Sequence, residues 1–180
     1  MIQIIPVFDT INTGTWVDSY PYGAISVFAL HPMYLNIESV SGVTKGVVEE
    51  VAAKRALLNK SAIEINYEYA VSEKLAMLKK IFDNNVRTNK QRVLDKLKNW
   101  YESSNARFWI AGYCVFKYLA QVYGTVDFNK WNDKLPFYDN AQFLKLSDEE
   151  KQKAIVSLFN NSEGQLTEEQ HIDMLFYAKL

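Results

Sequence analysis

Within seven positions the chain gathers Trp16, Asp18, Ser19, Tyr20 and Tyr22. A sugar ring has an apolar C–H face and a hydroxylated rim. Flat aromatic faces beside short hydrogen-bonding side chains are the surface such a ring requires. Tyr22, Asp18, Trp16 and Ser19 are therefore the candidate substrate-binding residues. A purely local alternative stands beside this one, in which Asp18 and Ser19 cap a following helix while the tyrosines pack. Both can hold at once.

Other reactive side chains lead less far. The acid pairs Glu49–Glu50, Glu149–Glu150 and Glu168–Glu169 invite comparison with the two carboxyls that cleave glycosides. Those must stand roughly 5–5.5 Å apart across the scissile bond in a retaining enzyme. Neighbours on a solvated helix point in different directions, and acids in a first turn already serve the helix dipole. No catalytic residue is assigned from these pairs. His31, before Pro32, reads as a hydrogen-bonded structural residue in aromatic surroundings. His171 lacks an H-x-x-x-H or H-E-x-x-H partner, so no zinc site is expected. Cys114 has no histidine nearby and reads as a small buried hydrophobe rather than a nucleophile. No glycine-rich phosphate-binding motif occurs, so nucleotide phosphate binding has no motif support.

The elements that would position the aromatic cluster follow from periodicity. Residues 2–8 form a short apolar run rich in β-branched side chains, followed by turn-forming Asp9, Thr10, Asn12 and Gly14. This is a buried strand feeding a loop. Such a strand would pair with residues 33–37, pair with a second chain, or lie as coil. Residues 22–30 suggest a short helix ended by Pro32, because the residue before a proline is pushed out of helical geometry. Beyond Ser41 and Gly42 the pattern is predominantly helical. Helices are expected over 45–59, from Ala62 or Asn66 towards Phe82 with Asn84 and Asn85 closing it, over 89–101, and over 107–123 with Gly124 behind it. The helix at 107–123 has almost no polar face and should be central. Residues 127–144 read as an ordered, aromatic-rich loop. Ser147 with Glu150, and Thr167 with Gln170, carry capping-box spacing for two last helices.

Composition sets the outer limits. With 180 residues and 48% hydrophobic content, the chain can bury a core. Twenty basic residues oppose twenty-one acidic ones, so no global charge points to nucleic acid or an anionic membrane. Residues 19–37 are free of charge but broken by Pro21, Gly23, Pro32 and Asn36, which makes a poor membrane span. A single cysteine excludes an intramolecular disulfide and fits a reducing, cytoplasmic setting. No basic segment precedes an apolar one at the N-terminus, which leaves secretion without support.

The segments Q-I-I-P-V, D-S-Y-P-Y and S-V-F-A-L-H-P resemble the amylomaltases, or disproportionating enzymes, which are 4-α-glucanotransferases. The wording is closest to the branch with an extra aromatic inside D-S-P-Y, here Tyr20. The likeness continues more weakly through R-F-W-I-A-G-Y-C-V-F and Y-G-T-V-D-F-N-K-W. It implies a (β/α)8 barrel enzyme that cuts and rejoins α-1,4-glucan chains by a retaining mechanism, without metal or organic cofactor. It further implies that Tyr22 borders the donor sugar beside the scissile bond and that Trp16 stands where relatives have an aromatic platform. His31 falls where relatives carry Asn or His. The family's catalytic carboxylates lie C-terminal to the matched region. The chain therefore reads as a piece of such an enzyme, mainly α, with a barrel strand and substrate-facing loop in residues 1–40 and a helical subdomain in 41–180. The expected partner is an α-1,4-glucan or maltooligosaccharide, and an unpaired strand edge adds self-association. The rival is a stand-alone helical module that binds protein or glycan without catalysis.

Overall fold

A computed structural model describes residues 7–11, 22–59, 66–131 and 135–180. It is mainly helical, as expected: among the described residues six α-helices accompany one two-stranded sheet. The chain divides into two compact units, Met1–Lys96 and Leu97–Leu180.

The first unit opens with β1 (Phe8–Thr10) paired antiparallel to β2 (Ala24–Leu30). This corrects two expectations. Residues 24–30 are strand rather than helix, because Ile25 and Val27 are stiff at χ1 and a ready edge lies beside them. The partner of the first strand is thus β2, not residues 33–37, which turn into short 3-10 segments at Pro32–Tyr34 and Ile37–Ser39. Residues 2–6 of the expected strand lie outside the described residues. Pro32 starts its 3-10 turn, where its missing N–H costs nothing and its fixed φ fits.

Helix α1 (Lys45–Asn59) has the expected bounds. Its Val47 and Val51 are buried with Met77 and Ile81 of α2 (Tyr67–Ser103), and Ile37, Val40 and Val43 close the cluster. Lys54–Glu73 and Lys80–Glu50 link the two helices at their exposed margin. Asn66 Oδ1 accepts from the Tyr69 N–H at the start of α2, and residues 60–65 lie outside the described residues. The expected closure at Asn84 and Asn85 does not occur. Asn84 takes bonds from Arg87 and Thr88, and Asn85 donates to the Ser41 carbonyl, so neither caps. The break falls at Asn89 (φ −158°, ψ 81°), whose Oδ1 accepts from the Arg92 N–H as an N-cap does.

In the second unit α3 (Ile110–Tyr123) is the central helix, packed by α5 (Asp148–Asn160) and α6 (Glu168–Lys179). Its buried side chains include Ile110, Cys114 and Leu119, each no more than 2% exposed. Gly124 ends it in the left-handed region (φ 68°), and the Thr125 N–H returns to the Ala120 carbonyl. Both predicted capping boxes form, at Ser147–Glu150 and Thr167–Gln170. On either side of residues 132–134, local bonds order the aromatic-rich segment: Asp127 caps a 3-10 turn, the Trp131 indole N–H donates to the Thr125 carbonyl, and Asp139 caps the single turn α4 (Asn140–Phe143). Between α5 and α6, Asn161 (φ 51°) accepts from the Leu166 N–H at 2.8 Å and donates to the Leu166 carbonyl at 2.9 Å. One side-chain amide thereby closes the turn from both sides.

Candidate functional site

The sheet positions the ends of the aromatic loop. The Ile11 N–H donates to the Gly23 carbonyl at 2.9 Å, which holds the residues before and after segment 12–21 together. Tyr22 stands at this junction with 63% of its surface exposed. Trp16, Asp18, Ser19 and Tyr20 lie outside the described residues. The root of the loop is polar and buried: Asp9 is 2% and Thr10 6% exposed. The sequence reads these two as turn formers, yet they belong to β1. A carboxylate ending a short apolar run carries the same signal whether the strand stops before it or runs on through it.

Register explains why the far end of β2 looks outward. Phe8 pairs with Leu30 and Asp9 with Ser26, four steps along β2 against one along β1. The extra residues form a bulge, braced by the Phe28 N–H on Ser26 Oγ at 3.2 Å. Val27, Phe28 and Leu30 are each more than half exposed there, whereas Ala29 is buried.

His31 fastens the end of this sheet to α2. Its N–H donates to the Val7 carbonyl, its Nδ1 accepts from the Met33 N–H at 3.2 Å, and its Nε2 lies 3.2 Å from Tyr67 Oη. An Nδ1 that accepts leaves the proton of the neutral ring on Nε2, which then donates to Tyr67. At 8% exposure this is the hydrogen-bonded structural histidine the sequence suggests. Lys74 adds a second tie through the Met33 carbonyl. Burial, and then the Arg55 charge nearby, hold its ammonium below the ordinary lysine range.

The alternative chemistries dissolve into scaffold. Glu50 is engaged by Lys80 at 2.7 Å, which together with nearby Lys54 lowers its carboxyl against the opposing effect of burial. Glu149 pairs with Lys153 and Glu150 closes its capping box, while Glu168 and Glu169 occupy the first turn of α6. His171 Nε2 lies 2.9 Å from the Phe159 carbonyl. Burial pushes the Cys114 thiol far above its usual range, which suits an inert side chain. Among the described residues no three His, Cys, Asp or Glu side chains cluster as a metal site, and no helix is long and apolar enough to cross a membrane.

The family model for 4-alpha-glucanotransferase matches residues 1–169, and the chain belongs to that family. The 4-alpha-glucanotransferase DPE2 of Oryza sativa subsp. japonica is 33% identical over 132 residues, covering 73% of this chain and 13% of the rice protein. A 4-alpha-glucanotransferase of Chlamydia pneumoniae is 25% identical over 154 residues, covering 83% of this chain and 27% of the bacterial one. The chain thus spans well under a third of either relative. No solved structure matches it significantly.

Proposed function

We propose that the chain works as part of a cytoplasmic 4-α-glucanotransferase that moves α-1,4-glucan segments by a retaining double displacement. Residues 1–40 supply a barrel strand and the substrate-facing loop, and residues 41–180 supply a helical subdomain. Barrel active sites are built at the C-terminal ends of strands, and here the aromatic loop directly follows β1. The observation that carries this reading is the family match across residues 1–169, which takes in the whole loop. In this assignment Tyr22 orients the reacting sugar, Trp16 stacks on a second sugar face, and Asp18 and Ser19 bond to hydroxyls. The nucleophile and the acid/base carboxyl come from outside these residues, and no cofactor takes part.

The test is kinetic. In the enzyme that contains this chain, Tyr22→Ala should lower maltooligosaccharide transfer at least about ten-fold, because a misplaced reacting group costs rate steeply. Its melting temperature should hardly move, since a side chain 63% exposed contributes little to packing. Wild-type kinetics with a lowered melting temperature would show that Tyr22 only packs and would reject the assignment.

A further inference from the structure

In the first unit, α1, α2 and the segment beginning at Leu35 enclose a pocket of about 280 Å³. Val51 and Met77 give it an apolar wall, and Lys54, Arg55, Glu73 and Lys74 also line it. Three cations thus share the pocket with one carboxylate. That carboxylate is already engaged, because Glu73 pairs with Lys54, which also stands 3.9 Å from Glu50. Glu50 in turn holds Lys80 at 2.7 Å. Arg55 meets Glu38 through one guanidinium nitrogen at 3.4 Å, with 62% and 42% of the two side chains exposed. So exposed a pair is weak, and the rest of the guanidinium fork makes no hydrogen bond among the described residues. Lys74 has no carboxylate within ion-pairing distance among the described residues. Its half-buried ammonium donates to the neutral Met33 carbonyl, which leaves two of its three N–H groups over. Two cations that share a small pocket, one of them partly desolvated, repel each other unless a negative charge comes between them.

We propose that this pocket binds a small phosphate, either inorganic phosphate or the head of a phosphate monoester, between Arg55 and Lys74. A phosphate carries between one and two negative charges near neutral pH, which matches the two cations that Glu73 does not neutralise. Its oxygens point in several directions, so it can take the Arg55 fork from α1 and the spare Lys74 N–H groups from α2 together. A carboxylate offers one charge in one plane. A neutral sugar would desolvate Lys74 further and return no charge. A polyanion such as nucleic acid is too large for the pocket and would meet Glu38 and Glu50 at its margin. A bound phosphate would tie α1 to α2 beside the Lys74–Met33 contact, and so stabilise the first unit.

The experiment titrates inorganic phosphate, glucose 6-phosphate and glucose separately into the isotope-labelled 180-residue chain. Ionic strength is held constant with chloride and amide signals are followed by nuclear magnetic resonance. Both phosphates should move the signals of residues 35–37, 54–55 and 73–74, and glucose should not. Tighter binding of glucose 6-phosphate makes the ligand a monoester, whereas equal binding makes it phosphate itself. Arg55→Gln and Lys74→Gln should each weaken phosphate binding about ten-fold, the loss of one charge-assisted contact. Lys45→Gln removes a cation of α1 that is 92% exposed and lies outside the pocket, and it should leave the affinity unchanged. Lys74→Gln also loses the Met33 tie, so the decisive variant is Arg55→Gln, whose side chain is mostly exposed and whose fold circular dichroism can verify. Wild-type affinity in Arg55→Gln overturns the inference whatever Lys74→Gln does. Signals that phosphate leaves in place, or that chloride alone moves equally, overturn it too. Either failure leaves the glucanotransferase reading standing, because no glucan contact enters this pocket.

Discussion

Tyr138 illustrates how burial can be read as chemistry. Its hydroxyl donates to Asn140 Oδ1 at 3.1 Å, and its ring meets Trp131, Tyr123 and Phe143. Burial, with Tyr123 as a lesser cause, pushes its ionisation up to about 12. The folded state therefore holds this proton more tightly than the unfolded state, whose tyrosines ionise near ~10. The stability linked to Tyr138 is fully present below about pH 10 and drains away as pH rises through about 12. Ultraviolet titration should show a late tyrosine step that Tyr138→Phe removes. The variant should also be less stable at neutral pH, by about 1 kcal/mol for the lost hydrogen bond, yet lose stability less steeply between pH 10 and 12. A titration with every tyrosine ionising near 10 while the protein remains folded would contradict the burial.

Two left-handed glycines separate conformational cost from collision. A Cβ at Gly124 (φ 68°) would meet nothing within 4 Å, so alanine there costs only the strained backbone, about 1 kcal/mol. A Cβ at Gly42 (φ 85°) would fall on the Asn85 amide, which must swing away and release the Ser41 carbonyl. Gly42→Ala should therefore cost about 1 kcal/mol more than Gly124→Ala. Urea denaturation of the two variants checks this, and equal losses would show that Asn85 contributes nothing. The sequence was most legible where local bonds decide the outcome. Ser147, Thr167 and Gly124 were readable because a cap is a contract between residues three or four apart. Residues 24–30 were not, because small and apolar residues there suit helix or strand until Asp9 and Thr10 supply an edge. Asn84, Asn85 and Asn89 carry the same side chain, and only distant partners such as Ser41 decide which of them interrupts α2. For the candidate site, residue type and spacing put Tyr22 forward, and the structure adds only that it is exposed beside the bonded ends of segment 12–21.

For the protein taken entire, the central question is whether these residues catalyse anything by themselves. Retaining transfer needs one carboxylate to form the glycosyl-enzyme and a second carboxyl to act first as acid and then as base. The glutamate pairs are held in caps, first turns and ion pairs, spread over three helices. The 180-residue chain incubated with maltotriose should yield neither glucose nor longer oligomers on chromatography. Disproportionation above a denatured control, abolished by substituting an acid within these residues, would overturn the division of labour proposed above. The outward Val27, Phe28 and Leu30 on β2 make concentration-dependent self-association a companion expectation for the same sample.

The clasp of Asn161 on Leu166 bears on how the protein ages. An asparagine followed by serine loses its amide when the next backbone nitrogen attacks the side-chain carbonyl. In the folded chain that nitrogen, on Ser162, donates to the Ser157 carbonyl at 3.0 Å, while the amide under threat is held at both ends by Leu166. Attacker and target are each occupied, so deamidation at Asn161 should be slow in the native protein and fast once it is denatured. Peptide mapping by mass spectrometry after storage at mildly alkaline pH, with and without urea, measures the difference. Equal rates would mean that the clasp gives no protection. Where the amide is lost, the new carboxylate has no donor for the Leu166 carbonyl and the turn between α5 and α6 opens on that side. At this asparagine the protein ages chiefly through the molecules that have already unfolded.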